Sequence, residues 1–266
     1  MENSLKIAIA QMDCLAGEVN KNLARMEEFA GRAAERGCRL ILFPEMADVG
    51  YDLTRFSECA LDWQGKEFEK IAGMAARYGI YLLGGISQKT AAGIYNTLTL
   101  FDPAGEVRAS YRKIHLADYP PLNEGQYVLP GHNLVLTEID GFKAGLTICY
   151  DLRFPEMYRR LALEGAEIIF HASAWPFPRQ KHLETLISAR AIENQLYLVS
   201  ANRCGRDGKA FFCGSSRIVD PYGIVVTSAS EIEEDLLVGE IRREKILKTR
   251  KRMPVFKHRH PDVDRV

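Results

Sequence analysis

The strongest constraint on how this chain folds is that its second half repeats its first. "KIAIAQMD" is echoed by "KAGLTICYD", and "GCRLILFPE" by "GAEIIFHAS", the latter two each following a helical stretch. "YGIYLLGG" then matches "NQLYLVSA". "TLTLFDPAGEV" matches "SSRIVDPYGIV", where Asp-Pro-x-Gly reads as a hairpin turn in both copies. Four pairs in one order indicate an internal duplication, and a period above about one hundred residues is far too long for a solenoid.

The repeated pieces alternate strand and helix. "RLILF", "IYLLGG", "EIIFHA" and "LYLVSA" are apolar on both faces, as strands of a sheet covered from both sides are. In "NLARMEEFAGRAAERG", Leu23, Met26, Phe29 and Ala33 share one helical face. The class is therefore α/β. Each copy supplies a sheet with helices on its outer face, giving a four-layer α-β-β-α sandwich of two mixed sheets related by a pseudo-two-fold. At 266 residues and 47% hydrophobic content, one domain over residues 1–266 is expected. Its charged tail "RREKILKTRKRMPVFKHRHPDVDRV" reads as a solvated helix that runs into an extended arm over about 250–266.

Thirty-five basic residues balance thirty-five acidic ones, so no global field draws in nucleic acid or an anionic membrane. An enzyme acting on a small molecule fits better. The six cysteines form no C-x-x-C pair and read as reduced thiols. "MENSL" passes directly into "KIAIAQM" without a leader, and no apolar run approaches membrane-spanning length. A cytoplasmic location is expected.

Within this frame, "GLTICYDLRFPE" ends an apolar strand on Cys149. A free cysteine is often only a small buried hydrophobe. Here, however, it takes the place of Gln11 in the duplication, so one copy has a nucleophile and the other does not. Pro155 suits the first turn of a helix, which puts Cys149 in a strand-to-helix elbow that exposes a side chain together with free N–H groups. Glu45 ends "LILFPE" and Lys113 lies in "SYRKIHL"; taken singly, each reads as a solvated charge. "HLADYPPLNEGQYVLPGHN" breaks the symmetry, as irregular insertions that carry function do.

Taken together, "FPEM", "RKIHL" and "ICYDLRFPE", with "SAWP", "ARAIENQLYLVSANR" and "MPVFKHR", make the chain resemble the nitrilase superfamily of carbon-nitrogen hydrolases. The resemblance covers nearly the whole length and implies the same four-layer sandwich. It places a catalytic triad on Glu45, Lys113 and Cys149, and a second glutamate on Glu124 of "LNEGQYVLPG". The implied chemistry is amide hydrolysis through a cysteine thioester, with Glu45 as general base. Lys113 and the Tyr150 backbone N–H would form the oxyanion hole, Lys113 would also favour the thiolate, and Glu124 would orient Lys113 or the substrate. "CYDLRFPE" with "AWP" and "ARAIENQ" is similar to the omega-amidase branch, which releases ammonia from monoamides of small dicarboxylic acids such as 2-oxoglutaramate. An N-carbamoyl amidohydrolase, a nitrile hydrolase and a catalytically silent binding relative are the alternatives. The resemblance also implies a homodimer, through "EMYRRLALEG" and "HLETLISARAIENQ", or a higher homo-oligomer.

Tyr150, Arg153, Trp175 and Arg179 could line a small pocket with a cationic end, since an arginine fork suits a carboxylate. For Arg153 an ion pair with Asp151 or a nearby glutamate is an equal alternative. A Cys-His dyad competes with the triad: alternation would put His115 on the strand face of Lys113, and His171 ends the strand matched to "LILFPE". Structural roles are expected for both histidines. His258, His260, Asp262 and Asp264 in "HRHPDVD" match no zinc spacing, and no metal or other cofactor is implied. Gly84 and Gly85 inside a strand suggest close backbone approach.

Overall fold

The computed structural model describes residues 3–208, 210–260, 262 and 263. In chain order it holds β1 (Ser4–Gln11), α1 (Val19–Glu35), β2 (Leu40–Leu42), α2 (Phe56–Cys59), α3 (Lys66–Tyr78), β3 (Tyr81–Thr90), β4 (Gly93–Phe101) and β5 (Val107–Arg112). The second copy follows with β6 (Leu136–Ile139), β7 (Phe142–Ile148), α4 (Pro155–Leu163), β8 (Ile168–Ser173), α5 (Gln180–Asn194) and β9 (Tyr197–Asn202). A short ribbon of β10 (Arg206–Asp207) and β11 (Ala210–Phe211) precedes β12 (Arg217–Val219), β13 (Val225–Ser228), β14 (Asp235–Arg242) and α6 (Arg243–Arg252).

Two six-stranded sheets result, ordered β14-β1-β2-β3-β4-β5 and β13-β12-β9-β8-β7-β6. The expected fold is what the chain adopts. In each sheet three parallel strands are followed by two antiparallel ones, so both sheets are mixed. The matched turns are alike down to their bonds. Asp102 Oδ1 accepts from the N–H groups of Ala104 and Glu106, and Asp220 Oδ1 from those of Tyr222 and Ile224, with Gly105 and Gly223 at φ 85° and 81°. Even the register shift beside each turn recurs.

Three expectations need correction. The halves do not each complete their own sheet, because β14 returns from the far end of the chain to pair with the whole of β1, from Ser4↔Arg242 to Gln11↔Asp235. That strand closes an edge that would otherwise present unpaired backbone groups. The counterpart of Cys149 is also not Gln11. Ile9 pairs with Leu42 and Leu146 with the equivalent Phe170, so three residues further on it is Met12 that matches Cys149. Gln11 instead bonds the backbone at Ser216, Ser230 and Glu233. One copy still carries a thiol where the other carries none.

Strand alternation builds the layers. Ile7 and Ile9 of β1 join the core shared with the second sheet, while Ala8 and Ala10 join the core under α1 and α3. Met157, Tyr158 and Leu161 of α4, and Leu183 and Ile187 of α5, cover the other outer face. The charged C-terminal segment begins as a docked helix rather than a solvated one. Ile246 of α6 is fully buried, and Arg250 donates to the carbonyls of Ala166 and Gln195. A 3-10 turn at Val255–His258 follows.

Candidate active site

Glu45, Lys113, Glu124 and Cys149 reach one point from four separate segments. Glu45 follows β2, where the chain settles directly on β3: a Cβ on Gly85 would lie 2.0 Å from the Pro44 carbonyl oxygen. That is the close approach expected at the glycine pair. Lys113 follows β5, its N–H bonded to the Asn96 carbonyl at 2.9 Å. Glu124 opens a 3-10 turn inside the irregular insertion and accepts from the Ala117 N–H at 2.7 Å.

Cys149 starts a 3-10 turn running to Arg153, after which Pro155 opens α4. Its φ of 43° is left-handed, a conformation disfavoured for a side chain with a Cβ. Asp151 holds the turn. Its buried carboxylate accepts from Ile148 N at 2.9 Å, Tyr111 Oη at 2.7 Å, and His115 N at 3.0 Å, and pairs with His115 Nδ1 at 2.8 Å. Tyr111 and His115 flank Lys113, so a single carboxylate ties the elbow of Cys149 to the segment carrying the lysine.

The charges are packed without exposure. Lys113 Nζ donates to Glu45 Oε1 at 2.9 Å and to both Glu124 oxygens at 2.8 Å. Asn96 Nδ2 donates to Glu45 Oε1 at 2.7 Å, and Ala174 N to Glu45 Oε2 at 2.8 Å. The Glu45 carboxylate and the Cys149 thiol are close enough to shift each other's protonation. Burial pushes the Glu45 carboxyl up, Lys113 pulls against it, and Glu124 adds to the rise. Burial disfavours the Lys113 cation, but Glu124 and Glu45 outweigh it and hold its pKa well above the ordinary value. Burial and then the Glu45 charge hold Cys149 well above a normal thiol, outweighing the pull of Lys113. Lys113 pulls towards the thiolate, as expected, but burial and Glu45 together outweigh it. The arrangement suits a thiol that passes its proton to a carboxylate on attack.

Above the thiol lies a narrow cleft bordered by Tyr51, Tyr119, Tyr150, Arg153, Trp175 and Arg179. All four residues expected to line a pocket therefore line this one. Arg153 lies over the Trp175 ring at 4.6 Å and makes no ion pair with a carboxylate among the described residues; Asp151 is engaged elsewhere. Arg179 sits 5.9 Å from the Tyr119 ring, and its backbone carbonyl accepts from Trp175 Nε1 at 2.9 Å.

A match to the carbon-nitrogen hydrolase family runs over residues 6–251. The chain belongs to this family. The hydrolase is 32% identical over 252 residues to a 2-oxoglutaramate amidase of Bacillus subtilis, covering 94% of this chain and 95% of that one. It is 31% identical over 270 residues to the omega-amidase NIT2 of Mus musculus, covering 98% and 97%. Among solved structures it overlays, at TM-score 0.84 and 29% identity, on the amidase of Nesterenkonia sp. AN1, covering 96% and 97% of the two chains. In that structure, of a glutamate-to-leucine variant, the acetamide moiety of fluoroacetamide is attached to the active-site cysteine.

The two histidines that compete with the triad, His115 and His171, are occupied elsewhere. β5 ends at Arg112, so His115 lies beyond the strand and does not share a strand face with Lys113; its ring bonds Asp151 and stacks on Phe154 at 3.6 Å. His171 bonds Thr147 and Tyr158, and burial lowers its pKa to about 3. Among the described residues no group of three or more metal-ligating side chains forms; Asp264 lies outside them. No helix among them is long and apolar enough to cross a membrane. Sequence reasoning missed Asn96, Tyr51 and the organising role of Asp151. Asn96 left a faint signal, a fully buried polar side chain in the apolar "IYNTLTLF".

Proposed function

We propose that this hydrolase is an omega-amidase, cleaving monoamides of small dicarboxylic acids such as 2-oxoglutaramate into carboxylate and ammonia at Cys149. The observation that carries the reading is a thiol beside a buried carboxylate, beneath a small cleft bordered by two guanidinium groups that have no carboxylate partner among the described residues. The amide end would lie over Cys149 and the free carboxylate would meet Arg153 and Arg179, as planar guanidinium forks favour. The names of the relatives from Bacillus subtilis and mouse support the same substrate class.

In the mechanism, Glu45 takes the thiol proton as sulfur attacks the amide carbonyl. The carbonyl oxygen becomes an oxyanion that the Lys113 ammonium and the Tyr150 N–H stabilise. Collapse breaks the C–N bond, and Glu45 returns the proton to the departing nitrogen, releasing ammonia and leaving a thioester. Glu45 then deprotonates water, which attacks the thioester. Collapse frees the carboxylate product, and the proton returns to sulfur. Glu124 holds Lys113 in place, and Asn96 and the Ala174 N–H aim the Glu45 carboxylate.

We take residues 1–266 as one cytoplasmic domain that forms a homodimer through α4 and α5. Exposed Leu163 and Ile192 on those helices and six unpaired cysteines support this. Equilibrium sedimentation giving only a 30.0 kDa species would exclude the dimer. The test of activity is ammonia release from 2-oxoglutaramate, succinamate, glutamine, N-carbamoyl-β-alanine and a simple nitrile, with Cys149→Ala alongside. Selective release from the first two, lost in the variant, is expected; release only from the carbamoyl compound or the nitrile would refute the substrate class.

A further inference from the structure

Arg203 is a charged side chain with no solvent exposure, yet none of its hydrogen bonds reaches Glu45, Lys113, Glu124 or Cys149. Burying a guanidinium is costly unless its donors are satisfied, and here they are. Nη2 donates to Asp13 Oδ1 at 2.7 Å, Nη1 bonds Asp207, and Nε donates to the Cys204 carbonyl at 3.2 Å. The guanidinium carbon also lies 4.1 Å from the centroid of the Phe212 ring.

Two of these partners lead to the same cleft wall. Asp207 Oδ2, besides meeting Arg203, accepts from the Tyr51 N–H at 3.2 Å. The Phe212 ring meets the Tyr51 ring edge-on at 6.3 Å. The same segment also holds the opposite wall: Cys213 N donates to the Trp175 carbonyl at 3.0 Å, Phe177 N to the Phe211 carbonyl at 2.8 Å, and Pro176 bridges to Phe212. Residues 205–208 and 210–213 thus form a strap across both sides of the cleft, pinned by one guanidinium at its base.

We infer that Arg203 is a positioning residue that fixes the width of the substrate cleft, and through it the size of amide the hydrolase accepts. A lysine would keep the charge but lose the fork that binds Asp13 and Asp207 together. The strap would then loosen while the triad's own bonds stayed in place.

This inference rests on the cleft being the substrate site, so its test uses a readout that needs no substrate. Cys149 is alkylated with iodoacetamide and with bulkier N-benzyliodoacetamide, and both rates are read on the Cys149 peptide by mass spectrometry. In Arg203→Lys the small-to-bulky rate ratio should fall at least tenfold, with the iodoacetamide rate within threefold of the parent. Tyr51→Ala should relax the ratio similarly, and the double variant should exceed the larger single effect by no more than about twofold. In steady-state turnover KM should rise tenfold or more with kcat within threefold. If Arg203→Lys does not fold, Asp207→Asn, which keeps the Arg203 and Asp13 pair, should show the same ratio change. An unchanged ratio, or both alkylation rates falling together, would overturn the inference. A substrate panel that gives no ammonia would refute the omega-amidase reading and leave the alkylation result standing.

Discussion

Replacing Lys113 with methionine removes the cation that two buried carboxylates share. The side chain fits a site of similar length, but Glu45 and Glu124 then face each other with only Asn96 Nδ2 between them, at 2.7 Å and 3.4 Å. Three charge-assisted hydrogen bonds disappear. Breaking a buried pair by removing one partner costs about 3–5 kcal/mol, because a charge is left uncompensated. For a chain of this size that is a fall in Tm of roughly 6–20 °C. The loss should also depend on pH. Burial already raises the Glu45 carboxyl above its unfolded value and Lys113 pulls against that rise; without Lys113 it rises further, so the native form binds more protons than the unfolded one, and stability increases as pH falls towards the unfolded carboxyl range. Urea unfolding followed by circular dichroism at pH 7.5 and pH 5.5 should therefore show the gap from the parent narrowing at the lower pH. Lys113→Met/Glu124→Gln should recover at least half of the loss. A gap below about 1 kcal/mol, a gap unchanged with pH, or strictly additive variants would refute the shared-cation account.

Arg153→Gln and Arg179→Gln should each raise KM for succinamate about tenfold or more while leaving the kinetics of an uncharged amide such as butyramide within threefold; equal effects on both substrates would remove their role in carboxylate recognition. Asp151→Asn should lower kcat about tenfold or more and shift Tm by several degrees, because it weakens one group that orders both the Cys149 turn and the Lys113 segment; a drop in Tm with kcat intact would make it purely structural. His171, held at a pKa of about 3, stays neutral in the fold while the unfolded chain protonates near 6.5, so its contribution to stability is lost as pH falls from 6.5 towards 3. Burial raises Asp48 to about 6, which has the opposite sign: native Asp48 takes up a proton first, and stability rises as pH falls from about 6 towards 3.8. His171→Gln leaves the Asp48 effect unopposed, so between pH 6 and pH 4 the variant should gain on the parent by about 1.4 kcal/mol per pH unit; parallel unfolding curves across that range would refute this.

The duplicated strands and their turns were legible because each copy carries its own period and its own Asp-Pro-x-Gly. β14 was not, since it lies outside the repeat and its partner is at the other end of the chain. Glu45, Lys113 and Cys149 could be read because each stands at the end of a strand inside a distinctive motif. Tyr51 and Asp151 give no such signal: one acts from a loop beside the cleft and the other through four bonds to residues distant in sequence or already assigned to the strand end. His115 was misplaced because alternation holds only while the strand continues. α6 looked solvated because only Ile246 and Thr249 are buried, while its docking depends on Arg250 reaching backbone carbonyls.

The pairing of β14 with β1 also bears on how the protein is made. On the ribosome, the edge of β1 waits for a partner more than two hundred residues downstream. At about 5–20 residues per second, that interval lasts roughly 11–45 s. Throughout it, the sheet that holds Glu45 and Lys113 has an open, apolar border exposed to any other nascent strand. The last strand to emerge is therefore the one that decides whether the first pairs within its own chain.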